Sequence, residues 1–536
     1  MHQPIAMATN MKTWNLYTLV FLFNLFLSSS HAAFSPNNTC DNTPYPAFCR
    51  TTLPSQYLPI HDQCHFFLQQ SLSITKTIFK MVSSYLKDNY TIPGSTVHAL
   101  EDCLNLTELN IDYLFNVLHA IGKIVTSDQV YDLQTLLSAI LTNQQTCLDG
   151  FNEVTPYPRV TSALSSPLSD SIKLYSISLA LFTRGWVSDA TTGRLTTVEI
   201  ITNRQLLQTS VDNVVVTQRV VVNPDGSGDF TTINDAVHAA PNNTGISNGY
   251  HVIYVVAGIY NEYVSIPKSK QNLMLVGDGI NRTVLTGGHS VDDGWTTFQS
   301  ATFAVVGKGF VAVNITFRNT AGSSKHQAVA VRNGADMSTF YKCSFEGYQD
   351  TLYVHSLRQF YKNCDIYGTV DFIFGNAAAV FQDCNMYPRL PMQNQFNAIT
   401  AQGRMDPNQN TGISIQNCCM KAARDLGDAT SNYNGIKTYL GRPWKKYSRT
   451  VYMQSLIDGL IDPKGWTEWS GDFALSTLYY AEFANWGPGS NVANRVTWQG
   501  YHLIDEKDAN DFTVNKFIQG DRWLPKTGVP FKAGLH

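Results

Sequence analysis

Three segments, TFYKCSFEGYQDTLYV, QFYKNCDIYGTVDFIF and AVFQDCNMY, overlay so that Cys343, Cys364 and Cys384 fall at intervals of 21 and 20 residues, as do Phe345, Ile366 and Met386. The segments are rich in β-branched and aromatic residues, so each period reads as strands rather than helix. A strand-forming unit of this length cannot bury its apolar face alone, but stacking coil on coil along an axis solves the problem. From about Val220 to the C-terminus the spacing predicts a right-handed parallel β-helix, with equivalent residues of successive coils ~4.8 Å apart.

That stacking gives meaning to Asp350 and Asp371, which lie one period apart in GYQDTLY and GTVDFIF. Two carboxylates on adjacent coils cannot both ionise freely, so one becomes an acid beside a base or nucleophile. Gln327, in KHQAVAVRNG, precedes Gln349 by 22 residues. Their amide N–H groups suit a developing oxyanion. Leu440-Gly441-Arg442-Pro443-Trp444 adds an arginine able to hold a carboxylate ionised and an indole face for a sugar ring. Each feature alone has a bland counterpart: a self-satisfying polar ladder, or a turn with a core tryptophan. Together they favour a site.

A chain of 536 residues exceeds one ordinary core, and upstream of the repeat the period changes. Between about 55 and 185, four segments carry apolar residues at helical spacing, which predicts an all-α up-down four-helix bundle as a domain over 33–186. A Thr-, Asn- and Ser-rich stretch, 187–210, reads as a linker, and 211–536 as the β-helix domain. Lys12, the apolar WNLYTLVFLFNLFLSS and the small residues near Ala32 read as a secretory leader over 1–32, too short for a span of ~20 residues, so the mature chain is expected outside the membrane. An oxidising destination makes the ten cysteines disulfide candidates. Cys40 with Cys49 and Cys103 with Cys147 are the expected pairs, leaving Cys64 unpaired, although sequence alone permits other connectivities. A net charge of -3 without a run of like charges argues against nucleic-acid or membrane-surface partners.

GIYNE, HQAVA, GYQDTLY, DFIFGN and LGRPW occur in the order seen in plant pectin methylesterases, and DGSGDF, TLYYAEFANWGPGS and RVTWQGYH extend the match. From about Val220 to His536 the chain resembles that family, while TPYPAFC, ALEDCL and LTNQQTCLDGF resemble the inhibitor-type pro-region that precedes many plant members. The resemblance implies that Asp371 is the nucleophile and Asp350 the proton donor and later base. It implies that Gln327 and Gln349 stabilise the oxyanion, that Arg442 fixes Asp371, and that Thr297, Gln327, Arg442 and Trp444 contact substrate. It further implies a Cys364–Cys384 disulfide, methyl-esterified homogalacturonan in the cell wall as substrate, no metal or organic cofactor, and a processing protease and inhibitor proteins as partners.

Val331 stands where Leu is more usual, and the processing site, commonly dibasic ahead of Leu-Leu, is here Arg204-Gln205-Leu206-Leu207. Gly245-Ile246-Ser247-Asn248-Gly249 matches a serine nucleophile elbow, but it precedes a strand-like run instead of opening a helix. A β-helix also suits a pectin lyase or glycosidase, although inverting hydrolysis needs carboxyls ~6.5–9.5 Å apart, wider than one coil. A non-catalytic wall protein working through its inhibitor-like bundle predicts a degraded acid constellation, and this one is intact.

Overall fold

The computed structural model describes residues 39–54, 58–87, 92–123, 125–154, 157–191, 214–427 and 429–536. The expected leader and the expected cleavage site at Arg204–Leu207 lie outside the described residues. The first part is helical: α1 (Pro46–Thr52), α2 (Ile60–Lys87), α3 (Gly94–Ile121), α4 (Ser127–Glu153) and α5 (Pro158–Phe182). Thr126 starts α4 through a capping box with Gln129, satisfying backbone N–H groups that have no partner inside the helix. On α2, Cys64, Phe67, Ser71, Thr75, Ile78 and Val82 recur three or four residues apart and are all buried. The four long helices pack so that each meets two others, α2 lying against α3 and α5, and α4 likewise. Helical structure continues past the expected boundary at 186 through Thr183–Val187 and Ser188–Thr191.

Two bridges brace this region as predicted: Cys40–Cys49, and Cys103–Cys147, which joins α3 to α4. The second closes a loop of 44 residues, which removes about 4 kcal/mol of unfolded-chain entropy on the loop-closure view. Cys64 is free and buried.

From Val216 the chain winds into three parallel sheets of eleven, seven and eight strands. Phe345, Ile366 and Met386 stand in register in one of them, as the repeat predicts. Inside, Phe340, Tyr361 and Phe381 stack at 5.3 and 4.5 Å, each ring filling the coil below the next. Burying each such ring stabilises the solenoid by about 1.5–3 kcal/mol. The Cys364–Cys384 expectation is corrected here, because both thiols are free. They belong to an inward column with Cys343 and Cys418, in which neighbouring thiols meet without a covalent bond and the Cys364 N–H donates to Cys384 Sγ. Cys364 Sγ donates to Phe340 O and Lys362 O, and Cys384 Sγ to Tyr361 O and Gln382 O.

Each part has its own core. The solenoid core, from Val220 to Tyr480, contains no residue of the helical region, and the main helical core, from Cys40 to Trp186, contains no fully buried solenoid residue. A third cluster joins them, with Ile78, Leu100 and Phe151 packed beside Phe298, Tyr353 and Phe374. Ion pairs surround that contact: Asp132 with Arg358 at 2.7 Å, Asp149 with Lys445 at 2.9 Å and Asp112 with Lys268 at 2.5 Å. Among the described residues no helix is long and apolar enough to cross a membrane.

Candidate active site

Leu352 pairs with Ile373 across adjacent coils, so Asp350 and Asp371, each two residues earlier, stack one above the other. Both have left-handed backbones, with φ of 63° and 54°. Aspartate tolerates that region where a β-branched residue would be strained. The same turn conformation in both coils aims the two side chains at one space.

Arg442 follows the strand Thr438–Gly441 and reaches back to Asp371 with Nε–Oδ1 at 2.8 Å and Nη2–Oδ2 at 2.7 Å, a two-pronged ion pair. Gly441 is required for the approach, since a Cβ there would lie 2.2 Å from Thr400 Oγ1. The guanidinium also faces Trp469 at 4.2 Å. Trp444 enters the cleft over Gly403, where a Cβ would meet its ring at 2.7 Å.

These residues enclose a cavity of about 200 Å³ lined by Gln327, Gln349, Asp350, Asp371, Arg442, Thr297 and Trp444, with Phe298, Tyr353, Phe374 and Trp469 as apolar walls. Every residue predicted for catalysis or substrate contact is therefore brought together. One detail differs: the register sets Gln349 beside Ala328, whose N–H donates to Gln349 O, and Gln327 reaches the cavity from one residue earlier, after left-handed His326. Neither carboxamide is engaged by a protein partner among the described residues. Both are free to donate to a ligand.

Burial pushes Asp350 well above the usual carboxylate range, and the charges of Asp371 and Glu153 push it further. Burial raises Asp371 too, but the Arg442 charge and its hydrogen bonds oppose the rise. Of the pair, Asp371 ionises first and Asp350 keeps the proton.

The sequence reading missed the part of the cavity wall that comes from the helical region. Thr146, Asp149, Gly150 and Glu153, on the last turns of α4, close one side of the cavity. Glu153 accepts from the Thr297 N–H at 2.9 Å, and burial raises its carboxyl. Nothing in LDGFNE announces this role, because it depends on where α4 docks. Ser247, the rival nucleophile, lies in an exposed turn, Ile246–Asn248, with Asn248 Oδ1 as its hydrogen-bond partner.

A parallel solenoid stacks two buried acids beside an arginine fork, between aromatic walls, in one cleft of the kind a hydrolase uses. The Pectinesterase family model matches residues 219–521, and the Plant invertase/pectin methylesterase inhibitor model matches residues 35–181. The chain belongs to the pectinesterase family, with an inhibitor-type N-terminal domain, and is a carboxylic ester hydrolase. It is 50% identical to the probable pectinesterase/pectinesterase inhibitor 7 of Arabidopsis thaliana, over 97% of this chain and 98% of that one. It is 45% identical to pectinesterase 2 of Citrus sinensis, over 97% of this chain and all of the relative. Among solved structures, the pectin methylesterase from carrot is 54% identical with a TM-score of 0.57, covering 59% of this chain and 98% of its own, so the carrot chain is about as long as the solenoid alone.

Proposed function

We propose that the chain removes methyl groups from galacturonate esters of cell-wall pectin with Asp371 as nucleophile and Asp350 as acid and then base. The observation that carries this reading is the division of labour in the dyad: Arg442 forks Asp371 while burial and a charged neighbour keep the proton on Asp350. A carboxylate oxygen of Asp371 attacks the ester carbonyl carbon, and the oxyanion is met by the Gln327 and Gln349 amides. The tetrahedral adduct collapses by expelling methoxide, which takes the Asp350 proton and leaves as methanol. Asp350, now a carboxylate, takes a proton from water as that water attacks the acyl-enzyme. Collapse frees the acid product and returns Asp371 to its carboxylate. Thr297 and Trp444 position the sugar.

A second reading concerns the uncut chain. Glu153 stands in the cavity against Thr297, and α4 walls off one side, which supports a helical region that inhibits in cis as a four-helix inhibitor-like bundle. Secretion by the 1–32 leader, cutting by a protease between 204 and 207, and activity of the 211–536 domain in the wall complete the proposal. The test is to incubate the cut protein with methylated pectin and assay methanol, new reducing ends and unsaturated products separately. Methanol alone supports the esterase, whereas reducing ends or unsaturated products without methanol overturn it.

A further inference from the structure

The helical region meets the cavity side of the solenoid through His98 on Trp295, Asp102 on Thr296 and Glu153 on Thr297. Towards the other end of α4, Tyr131 lies roughly 27 Å along the helix from Asp149, at ~1.5 Å per residue. There α4, the sheet of eleven strands and the short helix Val514–Ile518 border a second cleft of about 580 Å³, which shares no lining residue with the catalytic cavity. Ligand sites of about 300–1,000 Å³ are usual, so one or two sugar rings fit.

Arg404 and Arg449 line it side by side because one buried group holds both: Gln402 Oε1 accepts their backbone N–H groups at 2.9 and 2.7 Å. Arg404 Nε donates to Gln409 O at 2.9 Å, and Arg449 Nε to Thr411 O at 2.7 Å. Gly412 leaves room for the second, since a Cβ there would lie 3.0 Å from Arg449 Nε. Among the described residues no carboxylate lies within ion-pair distance of either guanidinium. Asp406, whose charge acts on Arg404, accepts instead from Ser176 of α5. Burial holds Arg449 well below the ordinary arginine range and the Arg404 charge lowers it further, while burial brings Arg404 to about 10. Two partly buried cations without a counter-charge are costly, and an anion laid across them offsets that cost.

An aromatic wall stands beside the pair. Tyr479 and Phe512 stack at 5.6 Å, Phe517 follows at 5.6 Å, and the Arg449 guanidinium lies 5.8 and 5.5 Å from the two phenylalanine rings. Asp508, Asp511 and Lys516 are exposed around the cleft. The two aspartates repel an anion of high charge such as phosphate, but they accept hydrogen bonds from hydroxyl groups. An apolar ring face, several hydroxyls and a single carboxylate describe an acidic sugar. We infer that Arg404 and Arg449 form a non-catalytic site for an acidic sugar unit, with its carboxylate on the two guanidiniums, its ring on the aromatic wall and its hydroxyls on Asp508 and Asp511. Gln134 and Thr135 of α4 close the far side, so a ligand in the cleft touches both domains and favours the docked chain. No residue of the esterase reading takes part, and the site goes beyond that reading.

The experiment titrates the uncut chain calorimetrically with digalacturonate, with its neutral counterpart galactobiose, and with inorganic phosphate. Digalacturonate should bind, and the other two at least about tenfold more weakly, since each lacks part of the matching chemistry. Arg449→Gln should weaken digalacturonate binding about tenfold, as loss of a charge-assisted contact does. Lys516→Glu, which reverses an exposed charge and leaves the packing alone, should weaken it about threefold with an unchanged melting transition. Absence of binding overturns the site, and so does phosphate or galactobiose binding as tightly as digalacturonate. Binding that survives both variants but is lost in Arg442→Gln belongs to the catalytic cavity and overturns it as well. Failure of the cut protein to release methanol from pectin sinks the esterase reading alone, so the two failures are distinguishable.

Discussion

Replacing Arg442 by Gln removes both prongs of the fork, at 2.8 and 2.7 Å, from a carboxylate that is 4% exposed. Breaking a buried ion pair by deleting one partner costs about 3–5 kcal/mol. Asp371 can escape most of that cost by taking a proton. At ~1.4 kcal/mol per pK unit, a cost near the low end raises the Asp371 pKa by about two units. The nucleophile must be ionised, so activity is present above its pKa and lost as pH falls through it. Deleting the cation therefore moves the acidic limb of the kcat/KM profile about two units toward higher pH. The loss should be about 10²-fold at mildly acidic pH and shrink as pH rises, with methanol release as the assay. Arg442→Lys keeps the charge without the fork and should move the limb less. A loss that stays constant across the profile, on protein with an unchanged melting transition, would refute this reasoning, since Arg442 would then hold geometry alone.

Asp350→Asn should lower methanol release by about 10² to 10⁴, the usual worth of a positioned acid-base group, and a near-normal rate would remove Asp350 from the mechanism. Cutting the linker and removing the helical region should raise specific activity well above that of the uncut chain, because a tethered domain acts at an effective concentration of about millimolar; equal activities would rule out inhibition in cis. Docking of the cut halves should weaken with rising pH. Burial holds Asp102 up to about 7 and also raises Glu153 and Asp406, a solenoid carboxylate that accepts from Ser176 of α5, and these return toward ordinary values on separation. The docked form binds protons more tightly, so association is strongest below the ordinary carboxylate range and fades as pH rises through about 7. Co-elution on gel filtration near pH 5 and separation near pH 8 is expected, and identical elution at both would count against it. Phe340→Ala, in the middle of the ring ladder, should cost about 3–5 kcal/mol and lower the melting temperature by roughly 10 °C, and a change within error would mean the cavity had closed.

The solenoid was legible because its signal repeats: Cys343, Cys364 and Cys384 mark a period, and the period alone stacks Asp350 on Asp371. The candidate site residues followed because they lie near strand ends, whose register a period predicts. Gln327 shows the limit. A 22-residue spacing suggests a partner on the next coil, yet left-handed His326 offsets the chain by one residue, and no pattern of apolar residues encodes that φ. The Cys364–Cys384 pairing came from family likeness, and stacking in one column brings the two thiols together without a bridge between them. Glu153, Asp102 and His98 were illegible for another reason. Their partners lie roughly 140 to 200 residues away on a different domain, and such docking is set by surface complementarity.

The Cys103–Cys147 bridge has a consequence for the timing of release. Cys103 is the residue after Asp102, and Cys147 lies within the last two turns of α4 before Glu153. The covalent link makes the two inserted carboxylates parts of one rigid plug. On the inhibition proposed above, a plug of that construction should leave in a single concerted event, giving sealed and open molecules with few half-open ones. Esterase activity would then be graded by how many molecules have opened and not by how far each has opened.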